Sequence, residues 1–412
     1  MSRSPVWHPF TQHALAPPAL EIVHGDGAWL EARDGARLLD MISSWWVVTH
    51  GHRHPRIVQA IKDQSDRLDQ VIFAGFTHAP AEDLARRLIA RIGAPLAHVF
   101  YSDSGSTAVE VALKMALGFW RNRGEARTRI VTLEHAYHGD TIGTMSTGAR
   151  GVFNAAYEPL LFDVVRLPFP HEGREQETLD AFARHGDAAA LLVEPLLLGA
   201  GGMHVYAPCV LAGLRDICRA NGTLLIADEV MTGFGRTGTF LACEQAGVTP
   251  DILCLAKGIT GGSLPLAATL CTAAIFDAHY STDRSKTFFH SSSYTANPIA
   301  CAAAVANLDV WDEEPVMARI ADLSAAHARL LDRFRDDARF GAVRQCGTIS
   351  ALDLRVGDEG YLASVGPRLM AHFVERGFLI RPLGNTIYLM PPYCVTEDEL
   401  ASAYEAIAQA AS

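Results

Sequence analysis

Three polar features of the sequence each follow a short apolar run with strand character. Asp228 and Lys257 come directly after such runs, and Ser104–Thr107 follows a third run and opens an amphipathic stretch. In an open α/β sheet, ligands bind at the carboxyl ends of the strands. The sequence therefore predicts that an acid, a lysine and a Gly/Ser helix start meet along one sheet edge.

Each of these features also has an ordinary structural explanation. An Asp after a strand is often a helix cap, a lysine there is usually solvated, and Ser-Gly-Ser before a helix is most often an N-cap. Together, however, they match the requirements of pyridoxal phosphate (PLP): a lysine for the Schiff base, a carboxylate for the ring nitrogen and a helix N-terminus for the phosphate. The carboxylate keeps the ring nitrogen protonated, so that the cofactor can accept electrons from a substrate carbanion.

The elements that must position these residues follow from the hydrophobic pattern. Apolar runs alternate with longer helical stretches between about residues 55 and 310. The predicted buried strands are His98–Tyr101, Arg129–Leu133, Ala190–Val193, Thr223–Ala227, Ile252–Leu255 and Ala267–Cys271. Between the first two, Thr107–Arg121 repeats apolar residues about every 3.6 positions, as an amphipathic helix does. The alternation predicts an α/β fold with a mostly parallel central sheet that helices cover on both faces.

Both ends of the chain have a different pattern. Trp29–Ala32 and Arg37–Asp40 flank an Asp-Gly turn and predict a β-hairpin. The C-terminal part predicts, in order, a helix at 315–336, a strand at Ile349–Leu354, a helix at 366–376, a strand at Ile387–Met390 and a helix from about Glu397. We therefore predict a large domain at 55–312 and a smaller α+β domain built from 1–54 and 313–412.

Composition and charge exclude several classes of protein. The 412 residues are 49% hydrophobic and 20% charged, with a formal net charge of −11. The chain is too apolar for disorder, and its acidic balance argues against binding nucleic acid or an anionic membrane. Residues 1–9 contain no apolar leader, and the eight cysteines form no CxxC pair. We expect a soluble cytoplasmic protein without disulfides or a metal site.

Several motifs resemble one family. Leu224–Val230, the turn Thr232–Gly238 and Lys257, which lies twenty-nine residues after Asp228, resemble class III (ω-) aminotransferases of PLP fold type I. The likeness extends over nearly the whole chain. Further motifs resemble the branch of this family that serves biotin biosynthesis: Trp7–Gln12, Ser43–Trp46, Tyr137–Thr141, Arg381-Pro382 and Tyr388–Pro392.

This resemblance implies a reaction and its substrates. The expected activity is PLP-dependent transamination of 8-amino-7-oxononanoate to 7,8-diaminononanoate, with S-adenosyl-L-methionine as amino donor. Two alternatives stay open. One is the same acceptor with lysine as donor, and the other is a broad-range ω-transaminase of amines.

The resemblance also assigns cofactor residues. They are Gly105, Ser106, Tyr137, Glu194, Asp228, Lys257, Ser292 and Ser293. Lys257, Asp228 and Tyr137 are the implied catalytic residues: the lysine forms the Schiff base and moves a proton, the acid pairs with the pyridine nitrogen, and the tyrosine flanks the ring. The alternative for Tyr137 is a plain core aromatic. Glu194 is expected to support the cofactor region and to pair with an arginine.

Family members complete the phosphate site with a segment from the other subunit, which matches His290–Thr295 here. Where the best-known members carry Gly-Pro-Thr, this chain has Ser291-Ser292-Ser293. Ser293 keeps a hydroxyl and can replace the threonine. The resemblance thus implies a homodimer with active sites at the subunit interface.

The implied substrate residues are Phe10, Trp45, Trp46, Tyr137, Asp140, Arg236, Lys257, Ser291, Arg381 and Tyr388. The fork of Arg381 suits a carboxylate, the tryptophans suit an alkyl chain, and Asp140 suits a cationic amine. The alternatives are buried core for the tryptophans and a structural ion pair for Arg381. Relatives that use adenosylmethionine often have Tyr where this chain has Phe10. The sequence therefore leaves two amino donors possible, adenosylmethionine and lysine.

Two other patterns are set aside. Gly233–Gly238 satisfies GxGxxG, but it does not open a helix directly after a first strand, as a dinucleotide site requires. His50, His52 and His54 alternate, and His135 and His138 are three residues apart, yet no acidic or cysteine partner has suitable spacing. We therefore expect neither a nicotinamide site nor a metal site.

Overall fold

The computed structural model describes residues 4–357 and 360–411. The strands are β1 (Ile22–Asp26), β2 (Trp29–Ala32), β3 (Arg37–Asp40), β4 (Leu96–Ser102), β5 (Ile130–Leu133), β6 (Val165–Leu167), β7 (Ala190–Val193), β8 (Leu197–Leu198), β9 (His204–Val205), β10 (Leu224–Asp228), β11 (Ile252–Leu255), β12 (Ala267–Thr272), β13 (Phe340–Cys346), β14 (Ile349–Leu354), β15 (Phe378–Leu379) and β16 (Thr386–Leu389). The helices are α1 (Ser43–Trp46), α2 (Pro55–Ser65), α3 (Ala79–Ile92), α4 (Gly105–Asn122), α5 (Ile142–Thr147), α6 (Glu175–Ala183), α7 (Pro208–Asn221), α8 (Ala273–His279), α9 (Pro298–Glu313), α10 (Val316–Arg335), α11 (Val365–Glu375) and α12 (Glu397–Ala410).

The central sheet has the strand order β4-β12-β11-β10-β7-β5-β6. Strands β11, β10, β7, β5 and β6 pair in parallel, whereas β12 is antiparallel to both β11 and β4. Since β12 lies between them, β4 and β11 run in the same direction. The loops that leave β4, β5, β7, β10 and β11 therefore emerge at one edge of the sheet.

The central strands are buried on both faces. Leu225 and Ala227 pack into the larger apolar core, while Leu224 and Ile226 pack into a second core with helix α4. Successive side chains of a strand point to opposite faces, so two helical layers must cover such a strand. The α/β fold with a mostly parallel sheet between helices is thus confirmed.

Strands near both chain ends share one sheet outside this core, and C-terminal strands form another. Strand β15 pairs in parallel with β3 at the edge of the β1-β2-β3 sheet, and β13, β14 and β16 form another antiparallel sheet. The division at residues 54 and 312 stays a prediction. Residues 1–3, 358–359 and 412, which belong to the predicted smaller domain, lie outside the described residues.

The predicted elements agree closely with the observed ones. β7, β11 and β14 have the predicted bounds, and helix α12 begins at Glu397 as expected. Hairpin β2–β3 forms around the Asp-Gly turn. In the described ranges, we find no helix with the length and apolar character needed to cross a bilayer.

Candidate active site

A cavity of about 450 Å³ opens at the sheet edge where these loops emerge. It is lined by residues that follow five different strands, together with Trp46 and Val47. The lining side chains with polar groups are Asp103, Ser104, Ser106, Tyr137, His138, Glu194, Asp228, Lys257 and Ser263. The sequence-predicted acid, lysine and Gly/Ser helix start therefore do meet in one place.

The N-terminus of α4 forms one end of the cavity. The Ser104 hydroxyl accepts from the Thr107 N–H, and the Thr107 hydroxyl accepts from the Ser104 N–H, which makes a capping box. Gly105 and Ser106 follow this cap as the first two helical residues. A helix start of this kind presents backbone N–H groups and a positive dipole end, which suits a phosphate group.

Gly139 makes the close approach of two loops possible at this end of the cavity. Its φ of +132° and its position against Ser106 leave no room for a side chain, because a Cβ there would overlap the Ser106 hydroxyl. That hydroxyl accepts a hydrogen bond from the Asp140 N–H at 3.2 Å. The loop after β5 is thus held against the helix start.

Asp228 lies at the end of β10 and is held on two sides. Its Oδ2 is 2.8 Å from Nδ1 of the buried His138, and its Oδ1 accepts from the Val230 N–H at 3.1 Å. The far side of the His138 ring is 3.4 Å from the Thr132 hydroxyl. These contacts fix the carboxylate inside the cavity.

Lys257 begins a short 3-10 turn after β11, with a left-handed φ of +48°. Asn307 of α9 holds this turn, because its side-chain amide donates to the carbonyls of Gly258 and Ile259 at 3.0 and 3.1 Å. Burial lowers the pKa of the Lys257 amine, and the nearby Asp228 carboxylate opposes that shift. A lowered pKa makes the neutral amine more available as a base or nucleophile.

Tyr137 and Glu194 lie on the side of the cavity formed by the loops after β5 and β7. Glu194 accepts backbone N–H bonds from Tyr137 and Gly199, both at 3.0 Å. The expected arginine partner of Glu194 is not found among the ion pairs of the described residues. Burial raises the pKa of the Tyr137 hydroxyl, and the neighbouring Asp140 carboxylate raises it further.

Glu194 gives a prediction about pH and stability. Burial raises the pKa of its carboxyl from 4.5 to about 7. The cofactor-free folded state therefore keeps a proton that the unfolded chain releases above pH 4.5, so stability falls as the pH rises through 7. Relative to Glu194→Gln, which does not titrate, we expect the wild type to lose on the order of 3 kcal/mol of unfolding free energy between pH 4.5 and 8. Chemical denaturation across this range measures it, and parallel curves for the two proteins would contradict it.

On the opposite side, aromatic residues from both chain ends come together. Trp46 is buried, and its Nε1 donates to the Tyr388 hydroxyl at 2.9 Å. The Lys257 Nζ lies 5.3 Å from the centre of the Trp46 ring. This arrangement places Trp46 beside Lys257, and Tyr388 holds the Trp46 ring through its hydroxyl.

Phe10, Trp45 and Arg381 form a second, more open group. The rings of Phe10 and Trp45 are 5.7 Å apart, and the guanidinium carbon of Arg381 lies 5.6 Å from the Trp45 ring centre. Arg381 donates to the Phe10 carbonyl at 3.1 Å. Within residues 4–357 and 360–411 it makes no ion pair, so the structural ion pair considered from sequence is not found there.

Arg236 and Ser291–Ser293 do not line the cavity of this chain. Arg236 is fully buried away from the cavity lining, and it donates to the carbonyls of Val48 and Pro391 at 2.8 and 2.9 Å. Ser291–Ser293 do not line the cavity of their own chain, and the Ser292 hydroxyl instead donates to Asp103. Their roles toward substrate and cofactor stay predictions.

Sequence reasoning missed two residues that hold the reactive groups. His138 lies in the Tyr137–Thr141 motif and has the spacing of a metal-ligand candidate, but nothing in the sequence indicates that its ring binds Asp228. Asn307 carries no sequence signal at all, since it lies fifty residues after Lys257 in the middle of an apolar helix. Among the described residues, no cluster of three or more His, Cys, Asp or Glu side chains is suited to a metal ion.

The donor set of the cavity fits pyridoxal phosphate. The helix start at Gly105 and Ser106 suits its phosphate, Asp228 suits a protonated ring nitrogen, and Lys257 would supply the amine in the same cavity. The enclosed Lys257 with its lowered pKa is the observation that favours this fit over a solvated lysine.

The fold and this site define a pyridoxal-phosphate-dependent aminotransferase. The chain belongs to the class-III aminotransferase family, whose model matches residues 11–411. It is 48% identical to the adenosylmethionine-8-amino-7-oxononanoate aminotransferase of Synechococcus elongatus, over 98% of this chain and 97% of that protein.

Solved structures agree with the family. The enzyme of the same name from Methanocaldococcus jannaschii has a TM-score of 0.94 at 34% identity, covering 98% of this chain and 96% of that one. An amine transaminase from an uncultivated Pseudomonas species, solved in its PLP-bound form, has a TM-score of 0.93 at 36% identity, covering 99% and 98%. The cofactor is thus pyridoxal phosphate, as the sequence predicted.

Proposed function

We propose that this aminotransferase converts 8-amino-7-oxononanoate into 7,8-diaminononanoate in biotin biosynthesis, with S-adenosyl-L-methionine as amino donor. The observation that carries the proposal is Arg381, a guanidinium over an indole ring without an acidic partner in the described part of the chain. Such a group suits the carboxylate at the end of an apolar chain, which the tryptophans would cover. The 48% identity to the Synechococcus elongatus enzyme supports the same acceptor.

Each residue around the cavity has a separate proposed role in amino transfer. Bound pyridoxal phosphate supplies a ring that withdraws electrons from the substrate carbon that loses its proton. Lys257, whose amine has its pKa lowered by burial, accepts that proton and returns it. Asp228 holds a proton at the ring nitrogen, and His138 keeps the Asp228 carboxylate in place. Trp46, held by the Tyr388 hydroxyl, excludes water from one side of Lys257.

The protein is proposed to work as a homodimer in the cytoplasm. Ser291–Ser293 lie outside the cavity of their own chain, which supports their use in the active site of a second copy. The eight thiols are all free, and five of them are buried, as in proteins of a reducing compartment. Mass measurement in solution tests the dimer.

Half-reactions in a spectrophotometer test the substrates. PLP-loaded protein is mixed separately with S-adenosyl-L-methionine, with lysine and with isopropylamine, while the visible band of the lysine-bound cofactor is followed. We expect bleaching by S-adenosyl-L-methionine, then return of the band and formation of 7,8-diaminononanoate when 8-amino-7-oxononanoate is added. Bleaching by lysine alone would keep the acceptor and change the donor.

An amine transaminase is the second candidate, because the Pseudomonas protein of that description is 36% identical over nearly the whole chain. Bleaching by isopropylamine without turnover of 8-amino-7-oxononanoate would favour it. The exposed ring of Phe10 beside Trp45 is compatible with either substrate.

Arg381→Ala separates the two candidates further. We expect the KM for 8-amino-7-oxononanoate to rise at least about tenfold, because a charge-assisted, two-pronged hydrogen bond to its carboxylate is lost. The half-reaction with isopropylamine, which has no carboxylate, should change little. Arg37→Ala is the matched control, since Arg37 also lies over an indole ring, at 4.6 Å from Trp29, but that indole bonds Glu399 of helix α12 and is not one of the proposed substrate residues. Equal losses with both substrates would make Arg381 structural.

A further inference from the structure

The short segment that carries the two tryptophans has a strained backbone. Ser43, Ser44 and Trp46 have φ values of 53°, 59° and 66°, a region that residues with side chains rarely adopt. At Ser44 the ψ of −87° brings the backbone close to a γ-turn with positive φ, which is rare. Such conformations persist where the surrounding structure fixes them, and they cluster at functional sites.

Asp40 holds the middle of this segment at Ser44, while the Ser43 hydroxyl donates to the Met390 carbonyl at 2.7 Å. Asp40 ends strand β3 and has no exposed surface. Its Oδ2 accepts from the Ser44 N–H at 2.7 Å and from the Ser44 hydroxyl at 3.2 Å, and its Oδ1 accepts from the Ile42 N–H at 3.2 Å. The ring of His52 completes the set, with Nε2 2.9 Å from Oδ2. A buried carboxylate needs hydrogen-bond donors of this kind. The strained segment supplies them to Asp40, and Asp40 in turn stabilises the strained conformation of the segment.

The strained segment determines what faces the reactive groups. Trp46 leaves it toward Lys257 and Tyr388, whereas Trp45 leaves it toward Arg381. Asp40 itself does not line the cavity. A change at the Asp40 carboxylate would therefore affect substrate binding indirectly, by moving the indole rings of Trp45 and Trp46.

We propose that Asp40, supported by His52, is a positioning residue for the substrate pocket. By holding Ser44 in its left-handed conformation, it sets the distance between the two tryptophans and hence the passage for a long apolar substrate chain. The identity of that substrate rests on the proposed function, but the positioning of the tryptophans does not.

The first test observes the indole rings directly. Protein labelled with 5-fluorotryptophan gives fluorine resonances for its six tryptophans, and Trp45→Phe and Trp46→Phe assign the relevant two. In Asp40→Asn, an amide group replaces one accepting oxygen, so we expect these two resonances to shift or broaden while those of Trp120 and Trp311 stay in place. Unchanged Trp45 and Trp46 resonances would overturn the proposal, whether or not the enzyme turns over 8-amino-7-oxononanoate.

A matched control and a milder variant guard against general unfolding. Asp353→Asn removes a carboxylate that binds Arg344 and Thr386 in the β13-β14-β16 sheet, outside the cavity lining. It should leave the Trp45 and Trp46 resonances unchanged, and an equal shift would overturn the proposal. His52→Ala keeps the backbone bonds of Asp40 and should move the same two resonances by a smaller amount.

Kinetics and a rescue variant complete the test. In Asp40→Asn we expect the KM for 8-amino-7-oxononanoate to rise about tenfold, with kcat and the isopropylamine half-reaction within about threefold of the wild type. Adding Ser44→Gly should restore part of the KM, because glycine takes a positive φ without the carboxylate. Equal losses with both substrates and no rescue would mean that Asp40 has a general structural role.

Discussion

Lys257→Ala is expected to lower the rate of amino transfer by at least about 10⁴-fold, because it removes the one amine that is proposed both to bond the cofactor and to act as the base. The visible band of the lysine-bound cofactor should disappear in the same variant. Since burial of the Lys257 amine lowers its pKa, the side chain is held at some cost to stability. The melting temperature of the cofactor-free variant is therefore expected to equal or exceed that of the wild type.

Two further variants show which property of the lysine matters. Lys257→Arg keeps a positive charge that is not released at neutral pH, so it should be as inactive as Lys257→Ala. Lys62→Ala changes an exposed lysine of helix α2 and should leave turnover unaltered. Turnover by Lys257→Ala near the wild-type rate would defeat the assignment of this lysine.

Asp228→Asn should give the second largest loss, about 10³-fold in kcat. In the proposed mechanism the buried carboxylate would hold a proton at the ring nitrogen, and a neutral amide could not balance the charge of that proton. The amide also places an N–H group against either the Val230 N–H or His138. Single-turnover rates measure the loss, and a pH titration of the visible band reports the changed electrostatics.

Asp251→Asn is the matched control for Asp228→Asn. Asp251 precedes β11 at the opposite edge of the sheet, where it binds Arg215 and the Leu225 N–H. We expect it to lower stability without lowering kcat. A kcat for Asp228→Asn within about threefold of the wild type would show that the acid does not act on the cofactor.

A comparison of the sequence with the structure shows which relations are local. The bounds of the strands at Asp228 and before Lys257 were predicted to within one residue, because a buried strand consists of consecutive apolar residues. Their meeting with Ser104–Thr107 also followed, because parallel strands end at the same sheet edge. The antiparallel direction of β12 was not predicted, although it is what lets β4 run parallel to β11.

The substrate side of the cavity depended on contacts between distant parts of the chain. Trp46 and Tyr388 are 342 residues apart, and Arg381 and Phe10 are 371 residues apart. The family resemblance named these residues, but no pattern in the sequence states that their side chains touch. Arg236 illustrates the same limit, because its burial against two carbonyls follows from the packing of both chain ends.

The sequence by itself determined the α/β fold, the order of the strands along the chain and the meeting of the acid, the lysine and the helix start in the candidate cofactor site. Local hydrophobic periodicity and strand direction suffice for these features. The tertiary structure decided how Asp40 holds Ser44, how Asn307 holds the turn of Lys257 and how His138 holds Asp228. The bond between Asp40 and Ser44 depends on an unusual backbone conformation, and the other two bonds depend on how separate elements pack together. A periodic pattern of apolar residues carries no information about either.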